Sequence, residues 1–313
     1  MYHFNLMAQP WIRCRSTEGD LQTVTAADAL RDADRIAELV DDDPLVNFGL
    51  YRFLTALLHW FSPVQGPDDW RRRWASWGLT RPLPELGRDA RFDLFDSESP
   101  FYQDASAATE QDGPPDKPAS YLVTHFPTGR FIQHHEHIAD ADWISLCPAC
   151  CARALMTFSP FMTIGGAGFA GSVNSPPPVY ILPRGETLAQ TLLLNLPQES
   201  PEGDRPSWVG CGDPERPIGP LEGLTWQCRR VLLRPEDGEG QTCRWCGRSS
   251  DVMVSRTVFA PGRKRSDEPD RAWSDPHAVM RTETRQLKEI LAETLLENRL
   301  LKKSVLGDGE DEA

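Results

Sequence analysis

The pattern of apolar positions predicts two helices in the N-terminal part of the chain. Thr25 precedes a run of small apolar residues as a helix N-cap, and this first helix is expected to end before the acidic run Asp41–Pro44. A second helix follows at once, because apolar residues recur three and four positions apart until Ser62 and Pro63 end the pattern. Its apolar positions are Leu50, Phe53, Leu54, Leu57, Leu58 and Phe61. Residues 2–12 predict a short strand broken at Pro10.

Later segments predict a mixture of strands and helices. Residues 187–196 are typical of a capped apolar helix, and residues 224–233 of a strand. Between 251 and 259, valines alternate with polar residues, as in a half-buried strand. The stretch 284–306 places its leucines on one side of an amphipathic helix, and the acidic tail 308–312 is expected to be disordered.

These elements predict the α+β class, in the form of a mixed, irregular body of helices and short strands. We expect this body to span residues 1–281, and residues 282–313 to form the C-terminal amphipathic helix with its disordered acidic tail.

Three tryptophans and three arginines interleave near residue 70. Trp70, Trp74 and Trp77 are spaced four and three apart, so we expect them to share one helical face with the arginines 71–73 beside it. Core packing with a solvated basic edge is the favoured interpretation, and nucleic-acid stacking is the alternative. For His59, on the second helix, we expect a place in the core rather than a ligand role.

Composition and charge narrow the classes of function. A net charge of −13 opposes the coating of nucleic acid by bulk attraction, so any such contact must come from local basic clusters or partner subunits. Eight cysteines without a signal peptide fit a reduced, cytoplasmic metal site better than a disulfide framework. The sequence has no apolar stretch long enough to span a bilayer, so no membrane partner is expected.

Four of the cysteines stand in two Cys-x-x-Cys pairs. Cys147 with Cys150, and Cys243 with Cys246, have the spacing that lets both thiolates of a pair face one tetrahedral metal. We therefore expect one structural zinc ion held by all four. The alternative is that the pairs are separate and merely buried. Cys151 adjoins Cys150, but its side chain points differently, so the two-residue spacing is preferred.

A glycine-rich segment and a histidine cluster are two further candidate sites. Residues 165–171 have almost no side-chain bulk, so their backbone suits close approach to a phosphate or a base edge. His134, His135 and His137 raise a metal cluster as one interpretation, with a polar loop as the other. The sequence has no H-E-x-x-H motif, nucleophile elbow or phosphate-binding lysine loop, so we expect no enzyme.

Several segments, kept in order over about residues 2–281, carry a resemblance to one family. They are Phe4-Asn5-Leu6 with Pro10-Trp11-Ile12, Leu94-Phe95-Asp96 to Ser99-Pro100-Phe101, Pro127-Thr128-Gly129, Ala152-Arg153-Ala154-Leu155, Thr187-Leu188 to Leu194-Asn195-Leu196, Leu224-Thr225-Trp226-Gln227 with Arg229-Arg230, and Ser274-Asp275-Pro276-His277. In these the chain resembles the CasA family, the large subunit of the type I-E CRISPR surveillance complex called Cascade.

The resemblance implies a non-enzymatic subunit that reads the protospacer-adjacent motif on double-stranded DNA and contacts the 5′ handle of the guide RNA. The family's glycine loop corresponds to Gly165, Gly166, Gly168 and Gly171, and the guide contact to Phe126, Gly129, Arg130 and Phe131. The family's minor-groove lysine has no clear match, and Arg256, Arg263, Lys264 and Arg265 are the candidates in its region. The implied partners are the guide RNA, target DNA and other Cascade subunits.

The sequence departs from the family in length, since full-length members continue into a C-terminal helical bundle preceded by a polar hairpin. A shortened subunit would suit a complex that binds without destroying its target, which raises guide-directed transposition as a hypothesis. Transposition proteins or a helicase-nuclease are then further partners. The alternative from another class is a zinc-ribbon adaptor that binds only protein.

Overall fold

The computed structural model describes residues 2–80, 83, 90–108, 116–126, 144–161, 179–197, 200–210, 219–227, 229–261 and 275–279. Chain contacts divide it into two compact units, Met1–Asn174 with Leu182–Pro276, and Ser175–Ile181 with His277–Ala313. The described helices are α1 Ala26–Arg31, α2 Pro44–Phe61, α3 Pro67–Ala75, α4 Pro148–Phe161, α5 Leu188–Asn195 and α6 Pro220–Leu224. The strands are β1 Ile12–Ser16, β2 Leu21–Val24, β3 Ile36–Leu39, β4 Lys117–Pro118, β5 Val179–Tyr180, β6 Arg229–Asp237, β7 Val252–Pro261 and β8 Ala278–Val279.

The chain begins with a small antiparallel sheet in the order β2-β1-β3. The turn between β1 and β2 contains Gly19 at a φ of +99°, a backbone conformation that other residues rarely adopt. The predicted first strand is corrected here, because β1 starts only after Pro10. Before Pro10 the chain turns, and Asn5 forms an isolated antiparallel bridge with Asp93.

Helix α1 starts as predicted and ends earlier. The Thr25 hydroxyl accepts a hydrogen bond from the Asp28 amide at 3.0 Å, which satisfies one of the free donors of the first turn. The helix ends at Arg31, whereas the sequence pattern allowed it to continue until just before Asp41. The chain instead becomes extended and pairs as β3 with β1, so tertiary strand pairing outweighs local helix preference.

The long helix α2 confirms the apolar pattern and forms the centre of the core. Asp43 accepts a hydrogen bond from the Leu45 amide at 2.8 Å, and Pro44 occupies the first turn, where it costs no hydrogen bond. Helix α4 packs closely against α2. A Cβ atom at Gly49 would lie 2.7 Å from the Met156 carbonyl oxygen, so only glycine permits this approach.

The prediction that three tryptophans share one helical face is confirmed in part at α3. Trp70 and Trp74 stack with ring centroids 5.0 Å apart, whereas Trp77 lies beyond the helix end, and its indole N–H donates to the Leu30 carbonyl. The expected basic edge is wrong for Arg73, which is 2% exposed. Arg73 is buried because its guanidinium donates to Asp69.

A second antiparallel sheet has the order β4-β7-β6 and carries most of the later core. Strands β6 and β7 pair along their full lengths, with a register shift between Arg234 and Pro235. The predicted strand 224–233 begins at Arg229, because its first residues end α6. The predicted strand 251–259 and the Thr187-capped helix are both confirmed.

The smaller unit is described only at a two-stranded antiparallel ladder of β5 and β8. The mixture of helices and small antiparallel sheets confirms the α+β class. The predicted C-terminal helix 284–306 and the tail 308–312 lie outside the described residues. None of the helices in the described ranges combines the length and apolar character needed to cross a membrane.

Candidate metal centre

Four cysteine thiols converge between α4 and the loop that joins β6 to β7. The Sγ atoms of Cys147, Cys150, Cys243 and Cys246 all lie within 4.8 Å of one another. Two of the separations are 3.6 Å, from Cys147 to Cys246, and 3.5 Å, from Cys150 to Cys243. Sulfurs bound tetrahedrally to one zinc ion at about 2.3 Å are about 3.8 Å apart, so the observed spacing fits a single ion.

The loop pair is held by a tight backbone turn. The Cys243 amide donates to the Arg248 carbonyl at 2.9 Å, and the Gly247 amide donates to the Cys243 carbonyl at 2.9 Å. Gly247 has a φ of +71°, so the chain reverses directly after Cys246 without a steric penalty. Both thiols of the pair are thereby directed to the same side of the turn.

The helix pair is tied to the same region by backbone hydrogen bonds. Leu146 exchanges two bonds of 2.9 Å with Val254 of β7, and the Arg244 amide donates to the Ser145 carbonyl at 2.9 Å. Cys147 directly precedes α4, and Cys150 lies in its first turn, three positions later, which brings both thiols to one side of the helix start. The centre therefore cross-links two parts of the chain that are 93 positions apart at Cys150 and Cys243.

A buried arginine lies against the thiols. Arg153, one helical turn after Cys150, donates to the Cys150 sulfur at 2.9 Å and forms an ion pair with Asp41. Its guanidinium also covers the Trp245 ring, 4.5 Å from the centroid. Burial alone would lower the pKa of Arg153, but the charges of Cys150 and Asp41 outweigh this effect and raise it. Arg153 thus supplies positive charge beside the four clustered thiols.

Trp245, between the two loop cysteines, also contacts the segment at 124–126. The His125 ring meets the Trp245 ring at a centroid distance of 5.3 Å in an edge-to-face arrangement. His125 is in turn 3.2 Å from the Asp43 carboxylate, which caps α2. The metal centre and the N-terminus of α2 therefore both hold this segment.

The thiols have unequal acidities. Hydrogen bonds from Cys147 and Cys150 lower the pKa of Cys246 to about 6, and bonds from the same two thiols lower the pKa of Cys243. The pKa of Cys150 is raised by its hydrogen bonds to Cys147 and Cys243. The thiolate is the form that binds metal, so an ion bound by all four sulfurs would displace their protons.

The donor set and its geometry are compatible with one structural metal ion. Four thiolates would complete a tetrahedral shell, and such closed sites leave no position for substrate. The neighbouring thiol of Cys151 is fully buried and lies outside the cluster, 3.9 Å from the Leu146 carbonyl oxygen. The clustered pair at the start of α4 is thus the one with the two-residue spacing, Cys147 and Cys150.

The other predicted site residues are described only in part. Arg256 lies on β7 with its side chain 51% exposed and pairs with Asp116. Phe126 lies in the core with 9% of its surface exposed. His59 was expected in the core, but it is only partly buried, and its Nε2 lies 2.9 Å from the Ser200 hydroxyl oxygen. Outside the described residues lie Gly165, Gly166, Gly168, Gly171, Arg263, Lys264, Arg265, Gly129, Arg130, Phe131, the histidines 134, 135 and 137, and Cys211.

Sequence reasoning missed the residues that surround the thiols. Arg153 stands three positions after Cys150, so helical spacing already places it on the same face of α4. Trp245 stands inside the second cysteine pair, and Gly247 follows it in the manner of a turn. The partners Asp41 and His125 had no local signal, because only the fold brings them to α4 and the loop.

Comparisons with known proteins agree on one family. The family model for the CRISPR-associated protein Cse1 matches residues 5–301. The CRISPR-associated protein CasA/Cse1 of Thermus thermophilus is 30% identical in an alignment 312 positions long. The alignment covers 88% of this chain and 60% of that relative. This chain therefore spans less than two thirds of the length of the curated relative.

Solved structures share the fold. The crystal structure of CasA from Thermus thermophilus superposes with a TM-score of 0.65 at 26% identity, over 88% of this chain and 55% of that chain. A chain in a structure described as a CRISPR RNA-guided surveillance complex, pre-nicking, has a TM-score of 0.65 at 21% identity and likewise shares the fold, over 88% of this chain and 57% of that chain. On the family match and the relative's identity, the chain belongs to the CasA/Cse1 family of CRISPR-associated proteins.

Proposed function

We propose that this chain is the large, non-catalytic subunit of a type I-E Cascade complex, recognising the protospacer-adjacent motif on double-stranded DNA and contacting the 5′ handle of the guide RNA. The observation that carries the proposal is the Cse1 family match over residues 5–301. Chains of the same fold occur in structures described as CRISPR RNA-guided surveillance complexes, which supports guide RNA and other Cascade subunits as partners.

In the proposed complex, target recognition is divided between the guide RNA and the protein. Base pairing with the guide reads the target sequence, and the protein reads only a short motif and the shape of the nucleic acid. We assign motif reading to the glycine segment 165–171, because a backbone without side chains can approach a groove closely. The guide contact is assigned to residues 126–131, and Phe131 is the residue best suited to stack on a base.

The proposed ion at the four-cysteine centre is zinc. Zinc accepts four thiolates in the tetrahedral geometry that the sulfur positions offer, and it undergoes no redox change. When bound, it would supply a cross-link between α4 and the loop before β7. Helix α4 ends at Phe161, four positions before Gly165, so the centre anchors the element that leads into the glycine segment.

Transposition is not supported by the comparisons, and the proposal does not include it. The alternative function is that of a zinc-ribbon adaptor that binds only protein. An electrophoretic shift separates the two functions, using the chain assembled with guide RNA and the other subunits and short duplexes with randomised motif positions. Recovery of one enriched motif supports the proposal. Equal retention of all duplexes, with assembly intact, contradicts motif recognition and favours the adaptor.

Replacing Gly166 with leucine is expected to reduce the preference for motif over non-motif duplexes by about tenfold or more, because the side chain blocks backbone approach to the groove. The measurement is the ratio of the two dissociation constants. Gly78→Leu is the matched control, since a Cβ atom at Gly78 meets no heavy atom within 4 Å. An unchanged ratio in Gly166→Leu would remove the glycine segment from motif reading.

A further inference from the structure

Two arginines lie directly opposite each other in the β6–β7 ladder. Arg234 pairs with Arg256 in the antiparallel register, so their side chains lie on the same face of the sheet, with Cβ atoms about 4.5–5.5 Å apart. Like charges in this arrangement repel each other and weaken the pairing. Sheet stability alone therefore does not favour this pair.

One carboxylate lies between the two guanidinium groups. Asp116 Oδ1 is 3.6 Å from Arg234 Nε, and Asp116 Oδ2 is 3.5 Å from Arg256 Nη1. Charge-assisted hydrogen bonds are about 2.7–2.9 Å long, so these are looser ion pairs. Two positive charges against one negative charge leave the group with a net charge of +1 (2 − 1). The side chains of Arg234, Arg256 and Asp116 are 38%, 51% and 31% exposed.

The strands hold these arginines in fixed positions. Leu233 and Thr257, their neighbours on β6 and β7, are buried at 3% and 0% exposure, so the backbone on both sides is anchored in the core. The register shifts between Arg234 and Pro235, so that Pro235 faces Val254. Such bulges bend a strand and redirect its side chains, and they are frequent beside functional sites.

We infer that Arg234 and Arg256 form a binding site for the phosphodiester backbone of a nucleic acid. A phosphate presents two non-bridging oxygens, which accept hydrogen bonds from planar guanidinium forks. It would also relieve the repulsion between the two arginines, which Asp116 offsets only in part.

This inference rests on the proposed function and deepens it by adding Arg234, a residue that no sequence pattern singled out. The net charge of the chain is −13, so nucleic acid must be attracted locally, and this pair is such a local site. The basic residues 263–265 follow β7 directly in the sequence. Phosphate contacts add affinity without reading sequence, so the site would act on all duplexes alike.

The test compares the complex carrying Arg234→Gln, Arg256→Gln or both with the wild type, over a range of salt concentrations. In one arm the duplex DNA is titrated. In the other the chain is titrated onto the remaining subunits loaded with guide RNA, so the two arms identify the source of the phosphate. In the arm that supplies the phosphate, we expect the binding affinity to fall by about threefold to fivefold per arginine substitution. The plot of the logarithm of the binding constant against the logarithm of the salt concentration should become shallower by about one unit of slope for each phosphate that is no longer bound.

The variant Asp116→Asn separates a binding role of the two arginines from a purely structural one. It removes the competing carboxylate, so binding in the affected arm is expected to strengthen by about threefold. For the two arginine variants the matched control is Arg71→Gln. It removes the same positive charge from another exposed arginine, which pairs with the carboxylate of Asp68 on α3. Its binding is expected to equal that of the wild type.

Wild-type affinity and salt slope in both arms for the double variant, with folding intact, would overturn the inference. The inference would also be overturned if Arg71→Gln weakened binding as much as the double variant does. Failure of the proposed function is a separate observation, because it would appear as equal wild-type affinity for motif and non-motif duplexes. In that case the inference stands if the double variant still binds both the motif and the non-motif duplex more weakly than the wild type does.

Discussion

Replacing Cys243 with serine is expected to remove the bound zinc and to lower the free energy of unfolding substantially. The proposed ion would cross-link positions that are 93 apart in the chain, so its loss would give the unfolded state back the conformational entropy of a loop of that length. The chain-entropy relation for a covalent cross-link of this size corresponds to about 4.6 kcal/mol, which we take as the scale of the effect. A loss of this size lowers the Tm by about 7 °C in a chain of this length.

Two measurements are needed, the zinc content by elemental analysis and the midpoint of thermal unfolding. We expect about one equivalent of zinc in the wild type and less than about a tenth in Cys243→Ser. Cys151→Ala is the matched control, because this thiol adjoins Cys150 and is buried outside the cluster. It should keep its zinc. Less than about half an equivalent in the wild type, or full zinc in Cys243→Ser, would rule out the four-cysteine site.

Arg153→Met is expected to destabilise the protein by about 3–5 kcal/mol, because it leaves the carboxylate of Asp41 buried without its partner. The side chains of Arg153 and Asp41 are 3% and 0% exposed, so solvent screens neither charge. The substitution also removes the donor to the Cys150 sulfur. Zinc should therefore be released at a lower chelator concentration than in the wild type.

Chemical unfolding and a chelator titration measure the two effects of Arg153→Met. The double variant Arg153→Met with Asp41→Asn should recover part of the stability, because no unpaired charge is then buried. It should not recover zinc retention, since the donor to Cys150 is still missing. Equal stability of the single variant and the wild type would contradict the assigned role. A chelator response that matches the wild type would restrict Arg153 to the ion pair.

Two helix starts and the two cysteine pairs could be predicted because their signals are local. Thr25 and Thr187 mark helix starts by the hydrogen bond that their hydroxyl accepts within one turn, and both predictions were confirmed. The two cysteine pairs were predicted from spacing alone. Their convergence on one point was also predicted, since a tetrahedral ion needs four ligands, and the thiols do meet.

Strand boundaries and burial of charge were less predictable. β3 was missed because its extended form depends on pairing with β1, which the local sequence does not encode. Arg73 was expected at a solvated edge, but Asp69 one turn earlier accepts its hydrogen bonds and allows it to be buried. In each case a contact made after chain folding outweighs the preference of the residue itself.

The sequence by itself determined the family, the α+β class, the course of α2 and which four cysteines come together, because these depend on periodicity, spacing and ordered motifs. Only the tertiary structure decided which charges lie together. It brings Asp41 to Arg153 across 112 positions and sets Arg234 opposite Arg256. Such pairs are set by strand register and helix packing, which arise from the whole core, so no local pattern of residues specifies them.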